Sequence, residues 1–225
     1  MVRRPLAVVI PCHNEAATLG EVVAGACRFA DVFVVDDRST DASRDVATAN
    51  GAEVIASAKP GYDGAIETGL ARAFADGYAF VVTLDADGEH DPACVGAFDH
   101  AFQGGAELVC GVRVKPQRAA EHVVAAVSRR LFQIDDLLCG MKGYSRPVLQ
   151  RYFDSGLGLA INMTPAVLWR RAGGAHGQVA VTGRIRADAP RFGRAMKANW
   201  RILSAFQAML VQTRSFAAPA TGTDP

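Results

Sequence analysis

Leu6-Ala-Val-Val-Ile-Pro-Cys-His-Asn-Glu-Ala-Ala-Thr-Leu-Gly-Glu-Val-Val-Ala-Gly-Ala26, followed shortly by Val32-Phe-Val-Val-Asp-Asp37, is the stretch that decides the fold. Leu6 to Ile10 is an apolar, β-branched run that ends at Pro11, and Val32 to Val35 is a second that ends at Asp36 and Asp37. Short runs with no polar alternation suit strands buried on both faces of a parallel sheet. Between them Leu19, Val22, Val23 and Ala26 recur at helical spacing, with Asn14 placed to cap the helix. That is one βαβ unit, and the pattern repeats. A helix from about Asp41 to Ala49 precedes a strand over Glu53 to Ala56, and a helix with Ile66, Leu70, Ala73 and Phe74 on one side precedes Phe80 to Leu84. A further helix starts near Pro92 and leads into the strand Glu107 to Gly111. The expected architecture is α/β, a doubly wound, mostly parallel sheet with flanking helices. Beyond Val112 the texture changes to helices around Glu121 to Phe132 and Thr164 to Ala172, Gly-rich breaks and a strand over Gln178 to Val181.

Half of the 225 residues are hydrophobic and 21% are charged, which excludes a disordered chain and a disulfide-stapled miniature. The longest uncharged run, Ser155 to Trp169, has 15 residues and contains Pro165, too short and too broken to span a bilayer. Arg3 and Arg4 precede an apolar stretch that runs directly into His13, Asn14 and Glu15, leaving no signal-peptide core. A cytoplasmic protein is expected, with a peripheral position at the inner face of the membrane left open. The five cysteines form no CxxC pair and are odd in number, which fits free thiols in a reducing compartment. Charge divides along the chain: residues 1–109 hold 7 basic against 17 acidic residues, residues 110–225 hold 17 against 6. Such a division fits a site where acids hold a cation and bases hold an anion; two solvated faces that attract one another are the plainer reading.

Ligands of open α/β sheets lie beyond the carboxyl ends of the strands. Glu15 follows the first strand, Asp36 and Asp37 the second, and Asp85, Asp87 and Glu89 the fourth, in Leu84-Asp-Ala-Asp-Gly-Glu-His-Asp-Pro92. Alternating carboxylates with Gly88 to turn the chain can offer oxygen ligands to a hard divalent cation, which in turn would chelate a diphosphate. The competing reading is a helix start at which Asp91 caps and the other acids are solvated. A dinucleotide fold would need G-x-G-x-x-G where the chain reads Pro11-Cys-His-Asn-Glu15, and there is no P-loop. A phosphorylation receiver domain would carry its acidic pair after the first strand, not the second.

Five segments in order resemble the signatures of family 2 glycosyltransferases: Val9-Ile-Pro-Cys-His-Asn-Glu15, Val35-Asp-Asp-Arg-Ser-Thr-Asp41, Gly64-Ala-Ile-Glu-Thr-Gly-Leu70, Leu84 to Pro92, and Asp136-Leu-Leu-Cys-Gly-Met-Lys142. The nearest subgroup is the dolichyl-phosphate or polyprenyl-phosphate sugar transferases. The resemblance implies a GT-A fold, a nucleotide-diphosphate sugar donor, Mg²⁺ or Mn²⁺ and inversion at the anomeric carbon; the Arg-rich C-terminal half, with no Asp or Glu from Ser155 to Ala187, favours a polyprenyl phosphate acceptor, which needs no base. It implies one catalytic domain over residues 1–214, with a nucleotide and metal half (1–111), an acceptor half (112–193) and a C-terminal helix (194–214), then a tail (215–225). No nucleic-acid partner is expected, and a homo-oligomer is left open.

By position, the resemblance assigns Pro11, His13 and Glu15 to the nucleoside pocket, Asp37 to the base, and Gly64 and Ala86 to the donor. Asp85 and Asp87 form the DxD pair, with Glu89 as a further metal ligand where the subgroup has Gln. Arg113, Arg129 or Arg130, and Arg191 take the positions of phosphate-binding basic residues, and Asp136 is the one plausible carboxylate base; a structural role for Asp136 is the alternative. The chain departs from the family at Gly61-Tyr-Asp-Gly64, where Gly-Lys-Gly is usual, at Cys139 in place of Ser, and at Leu159-Ala-Ile-Asn162, where acids are usual. Transfer to a glycan or small-molecule hydroxyl, and a non-catalytic nucleotide-sugar-binding subunit, are the rival functions. Over Arg194 to Arg214, Met196, Trp200, Leu203, Phe206 and Leu210 share one side of a helix, which suits core packing or an anionic membrane surface.

Overall fold

Every side chain of β1 (Leu6–Cys12) is buried, which puts this strand in the middle of a sheet covered on both faces. The computed structural model describes residues 5–113, 119–158, 160–182 and 192–216, with side chains from residue 199 onward in the last segment. After β1 come α1 (Ala16–Ala26), β2 (Asp31–Asp36), α2 (Ser43–Ala49), β3 (Glu53–Ala56), α3 (Tyr62–Ala75), β4 (Phe80–Thr83), α4 (Cys94–Gln103) and β5 (Leu108–Arg113). The chain continues through α5 (Ala119–Phe132), β6 (Lys142–Ser145), α6 (Arg146–Ser155), α7 (Thr164–Arg171), β7 (His176–Val181) and α8 (Phe192–Gln212), and a 3-10 turn covers Thr213–Ser215. No helix among the described residues is long and apolar enough to cross a membrane.

The seven strands among the described residues form one sheet in the order β3-β2-β1-β4-β6-β5-β7. All neighbours are parallel except β6, which runs antiparallel to both β4 and β5. Because β6 is inserted between β4 and β5, the acidic and basic stretches of the chain are built on a single sheet. Alternation along β1 sorts the core into two layers. Leu6, Val8 and Ile10 pack with Leu19 and Val22 of α1 and Phe98 of α4. Ala7 and Val9 face the other way, onto Ile66 and Leu70 of α3, in a layer that extends to Val124, Leu149, Val167 and Met209. Each helix thus buries one stripe and the sheet buries both faces, the arrangement expected of a doubly wound domain.

Several local expectations are corrected. β1 does not stop at Ile10: Pro11 pairs with Val35 and Cys12 with Asp36. The β1–β4 ladder ends at Val9 and Thr83, and Val9 accepts the Leu84 amide as its last bond on that side. Pro11, two residues on, faces the same side, so its missing N–H forfeits no ladder bond. Asn14 does not cap α1; it sits at φ 57° and ties the neighbouring loop instead. β6 and α6 were not foreseen. The end of α8 is anchored: the Thr213 hydroxyl is buried and donates to the Met209 carbonyl at 2.8 Å. Arg191 and residues 217–225 lie outside the described residues.

Candidate functional site

Strand order reverses between β1 and β4: the chain builds outward through β2 and β3 on one side and returns through β4 on the other. At such a switch point the loops leaving adjacent strands diverge and open a crevice at their carboxyl ends. Here the crevice is a cavity of about 350 Å³ lined by Pro11, Cys12, His13 and Glu15 after β1, Asp37 after β2, Tyr62 and Ala65 of α3, and Asp85, Ala86, Asp87 and Glu89 after β4. Eight residues singled out by the sequence therefore meet in one place.

The loops that carry them are tied together by short polar side chains. Asn14 Oδ1 accepts the Thr40 amide at 2.7 Å, the Asn14 amide donates to Ser39 Oγ at 3.0 Å, and the Glu15 amide donates to Ser43 Oγ at 2.9 Å. Asn14 and Arg38 both adopt positive φ, 57° and 60°, conformations that asparagine tolerates better than most residues. His13 Nδ1 lies 2.7 Å from the Asp37 carbonyl. The Asp37 carboxylate accepts the Gly61 amide at 2.6 Å and Arg38 Nη1 at 2.7 Å, so it also fixes the entry to α3.

Across the crevice the Tyr62 hydroxyl donates to Asp85 Oδ1 at 2.8 Å. Burial pushes the Asp85 carboxyl above its ordinary value, and the Tyr62 hydrogen bond pulls it partly back. The backbone of Gly140 presses against the same carboxylate: a Cβ there would lie 2.1 Å from Asp85 Oδ2, so only glycine fits. Asp87 Oδ1 accepts the Glu89 amide at 2.9 Å across the turn at Gly88, φ 70°, and Thr18 Oγ1 donates to the Ala86 carbonyl at 2.8 Å. Among the described residues no three His, Cys, Asp or Glu side chains are already gathered around one point as a cation cage. The donor set nonetheless fits Mg²⁺ or Mn²⁺, because such ions accept one or two carboxylates and complete their shell with substrate phosphate oxygens.

Other assigned residues lie elsewhere. Gly64 does not line the cavity; it lets α3 approach the preceding loop, where a Cβ would meet the Lys59 carbonyl at 2.4 Å. Arg113 and Asp136 are bound to each other, Nε to Oδ2 at 2.7 Å and Nη2 to Oδ1 at 3.0 Å, with the Arg113 amide donating to Oδ2 at 3.2 Å and Glu121 3.4 Å from Nη2. Burial alone would raise the Asp136 carboxyl, but the Arg113 hydrogen bonds and charge outweigh it and hold it below the ordinary range. A carboxyl so held accepts a proton less readily than a free one, which fits the structural alternative for Asp136 better than the base. Arg129 is exposed and paired with Asp135 at 2.6 Å, and Arg130 is exposed on α5. Lys142 is fully buried, donating to the Cys139 carbonyl and, at 3.0 Å, to Asn162 Oδ1, in the segment where acids were expected. A larger cavity, about 530 Å³, is lined by Thr18 and Glu21 of α1, by Gly88, His90 and Pro92, and by Thr182, and neither Asp37 nor Asp85 lines it. Cys12, Tyr62 and Ala65 line the cavity without having been assigned to it from the sequence; the signal for Tyr62 was the departure at Gly61-Tyr-Asp-Gly64.

A doubly wound sheet with one antiparallel strand and acidic loops at its switch point is the GT-A architecture of glycosyltransferases. The chain belongs to glycosyl transferase family 2, whose model matches residues 7–153. Its fold is similar to that of glucosyl-3-phosphoglycerate synthase from Mycobacterium tuberculosis, at a TM-score of 0.72 and 22% identity over 96% of this chain and 82% of the other. The same enzyme solved with Mn²⁺, uridine diphosphate and glucosyl-3-phosphoglycerate gives 0.73 at 20% identity, covering 96% and 81%. In sequence the chain is 36% identical over 106 residues to an uncharacterised glycosyltransferase of Mycobacterium tuberculosis, 47% of each chain. It is 29% identical over 166 residues to the polyprenol monophosphomannose synthase of Mycolicibacterium smegmatis, 64% of this chain and 63% of that one. Over 118 residues it is 35% identical to the undecaprenyl-phosphate mannosyltransferase of Micrococcus luteus, 48% of each. The first of these matches spans about half the length of the relative concerned.

Proposed function

We propose that the chain is an inverting glycosyltransferase that moves a sugar from a nucleoside-diphosphate sugar to a polyprenyl phosphate at a membrane surface. One observation carries the choice of acceptor: Asp136 is held by Arg113 through two side-chain hydrogen bonds. A hydroxyl acceptor would need a carboxylate to take its proton, whereas a phosphate is already anionic at neutral pH and attacks without a base. The relatives named for polyprenol and undecaprenyl phosphate support the same reading.

In this reading Asp37, His13 and Glu15 hold the nucleoside, and Pro11 and Ala86 shape the walls around it. Asp85, Asp87 and Glu89 would hold Mg²⁺ or Mn²⁺, which when bound offsets charge on the diphosphate. Asp136 and Glu121 hold Arg113 in place, so its remaining guanidinium N–H groups can donate to anionic oxygens without rearrangement as the diphosphate departs. The acceptor phosphate oxygen attacks the anomeric carbon from the face opposite the leaving group. Arg129, Arg130 and Arg191 supply further positive charge to the acceptor half.

Incubation with labelled nucleoside-diphosphate sugars, polyprenyl phosphate and Mn²⁺ should give label extractable into organic solvent, and Asp87→Ala should remove it while leaving the circular dichroism spectrum unchanged. Transfer onto a neutral sugar alcohol with none onto polyprenyl phosphate would overturn the acceptor. Nucleotide-sugar binding without turnover on any acceptor would favour a binding subunit instead.

A further inference from the structure

His90 belongs to the acidic run after β4, yet none of the roles above uses it. Its side chain is only 3% exposed, and its two ring nitrogens face different groups. Nε2 lies 3.6 Å from Cys139 Sγ. Nδ1 lies 3.8 Å from Asp85 Oδ2 and has no hydrogen-bond partner, one of very few buried polar side-chain atoms in that condition among the described residues. Buried ring nitrogens are costly to leave unpaired, so such an atom calls for an explanation.

The neighbours favour the tautomer with its hydrogen on Nδ1. Burial pushes the Cys139 thiol up to about 12, so the sulfur keeps its hydrogen at neutral pH and can donate it to Nε2. With Nε2 accepting, the imidazole hydrogen sits on Nδ1 and faces the Asp85 carboxylate. The opposite tautomer would turn a lone pair toward a carboxylate oxygen in a buried setting. Asp85 is already gripped at Oδ1 by the Tyr62 hydroxyl, and Gly140 leaves Oδ2 free of any side chain on its far side. Bringing Oδ2 and Nδ1 to hydrogen-bond length needs a shift of about 1 Å.

We propose that His90 is a positioning residue for Asp85: its Nδ1–H donates to Oδ2 when the site takes up its cation and nucleotide, holding one oxygen so that the other stays turned to the cavity. This rests on the donor site proposed above. It assigns to Cys139, which stands where the family usually has Ser, the task of setting the ring's tautomer.

The test uses the full chain with His90→Asn, His90→Gln and His90→Leu. Asparagine places its amide N–H near the Nδ1 position, whereas glutamine reaches toward Nε2 and leucine offers no donor. Calorimetry with Mn²⁺ and uridine or guanosine diphosphate should show His90→Asn within about threefold of the unaltered protein, and the other two weaker by roughly 10-fold or more. Nucleotide affinity without Mn²⁺ should not change. Equal Mn²⁺-dependent affinity in the leucine and unaltered proteins, or an asparagine variant no better than leucine, would overturn the proposal. Should the leucine variant fail to fold, the ring of the unaltered protein decides. Nitrogen-15 NMR of the five histidines, with His90 assigned by its loss in the asparagine variant, should find Nδ1 protonated. A neutral ring protonated at Nε2 alone would refute the proposal without any ligand. Absence of Mn²⁺-dependent nucleotide binding by the unaltered protein would instead overturn the donor site itself.

Discussion

Arg113 and Asp136 constrain one another through two side-chain hydrogen bonds, and the pairing limits what either can do alone. Because the folded Asp136 carboxyl titrates below its ordinary value, the folded state binds its proton less readily than the unfolded chain. Its contribution to stability is therefore fully present above about pH 4, the unfolded value, and is lost as pH falls through the lower folded value. Asp136→Asn should cost on the order of 2 kcal/mol at neutral pH and should flatten the acid limb of a stability profile measured by urea denaturation. Turnover onto polyprenyl phosphate should fall less than tenfold; a loss of roughly 100-fold would restore Asp136 as a base. At this scale the sequence was most readable where chemistry repeats along the chain. Asp85, Asp87 and Glu89 announce themselves by alternation after an apolar strand. Tyr62 and His90 do not, because their meaning lies in the partners folding brings near, Asp85 for one and Cys139 with Asp85 for the other.

Among the elements, the βαβ units were legible because strand and helix periodicities differ and each unit is local. β6 was not. Lys142-Gly-Tyr-Ser145 is four residues long, carries a lysine and a glycine, and gains its place only by pairing on both sides with β4 and β5. Its burial of Lys142 is possible because the ammonium finds the Cys139 carbonyl and Asn162, a solution that no local pattern reveals. α6 did leave a signal, Ser145 at the N-cap position with proline in the first turn. The seating of α3 on the sheet is set by Gly69, where a Cβ would lie 2.2 Å from Val9 Cγ1 and 2.9 Å from Val35 Cγ2. Gly69→Ala should therefore lift α3 away from β1 and β2, costing about 1–3 kcal/mol despite alanine's better helix propensity. Chemical denaturation reads the loss directly; a neutral or stabilising result would mean that the helix moves without penalty. Tyr62 starts this helix, so the same change should also weaken nucleotide binding.

For the molecule as a whole, the charge division has a spatial counterpart. The acidic stretch supplies every carboxylate that lines the β1–β4 crevice, and α8 at the far end of the chain contains Arg194, Lys197 and Arg201 with no acidic residue. The apolar stripe on α8 splits between two fates. Phe206 is buried and Leu203 and Leu210 pack against the core, whereas Trp200 is 74% exposed. Val211 on the same helix and Val123 and Leu131 on α5, against which α8 packs, are also exposed. Exposed apolar side chains beside an acid-free basic helix suit the interface of an anionic bilayer, where each nearby Lys or Arg contributes about 1 kcal/mol and an inserted tryptophan adds its own burial. A polyprenyl acceptor would be presented at that interface. The protein should co-sediment with vesicles containing phosphatidylglycerol but not with phosphatidylcholine alone, and about 0.5 M salt should release much of it as screening shortens the reach of the charges. Trp200 emission should shift to the blue on binding, and Trp200→Ser should weaken partitioning roughly tenfold while leaving nucleotide binding in solution intact. Indifference to lipid charge, or equal partitioning by the serine variant, would remove this face from the membrane and leave acceptor delivery to another surface.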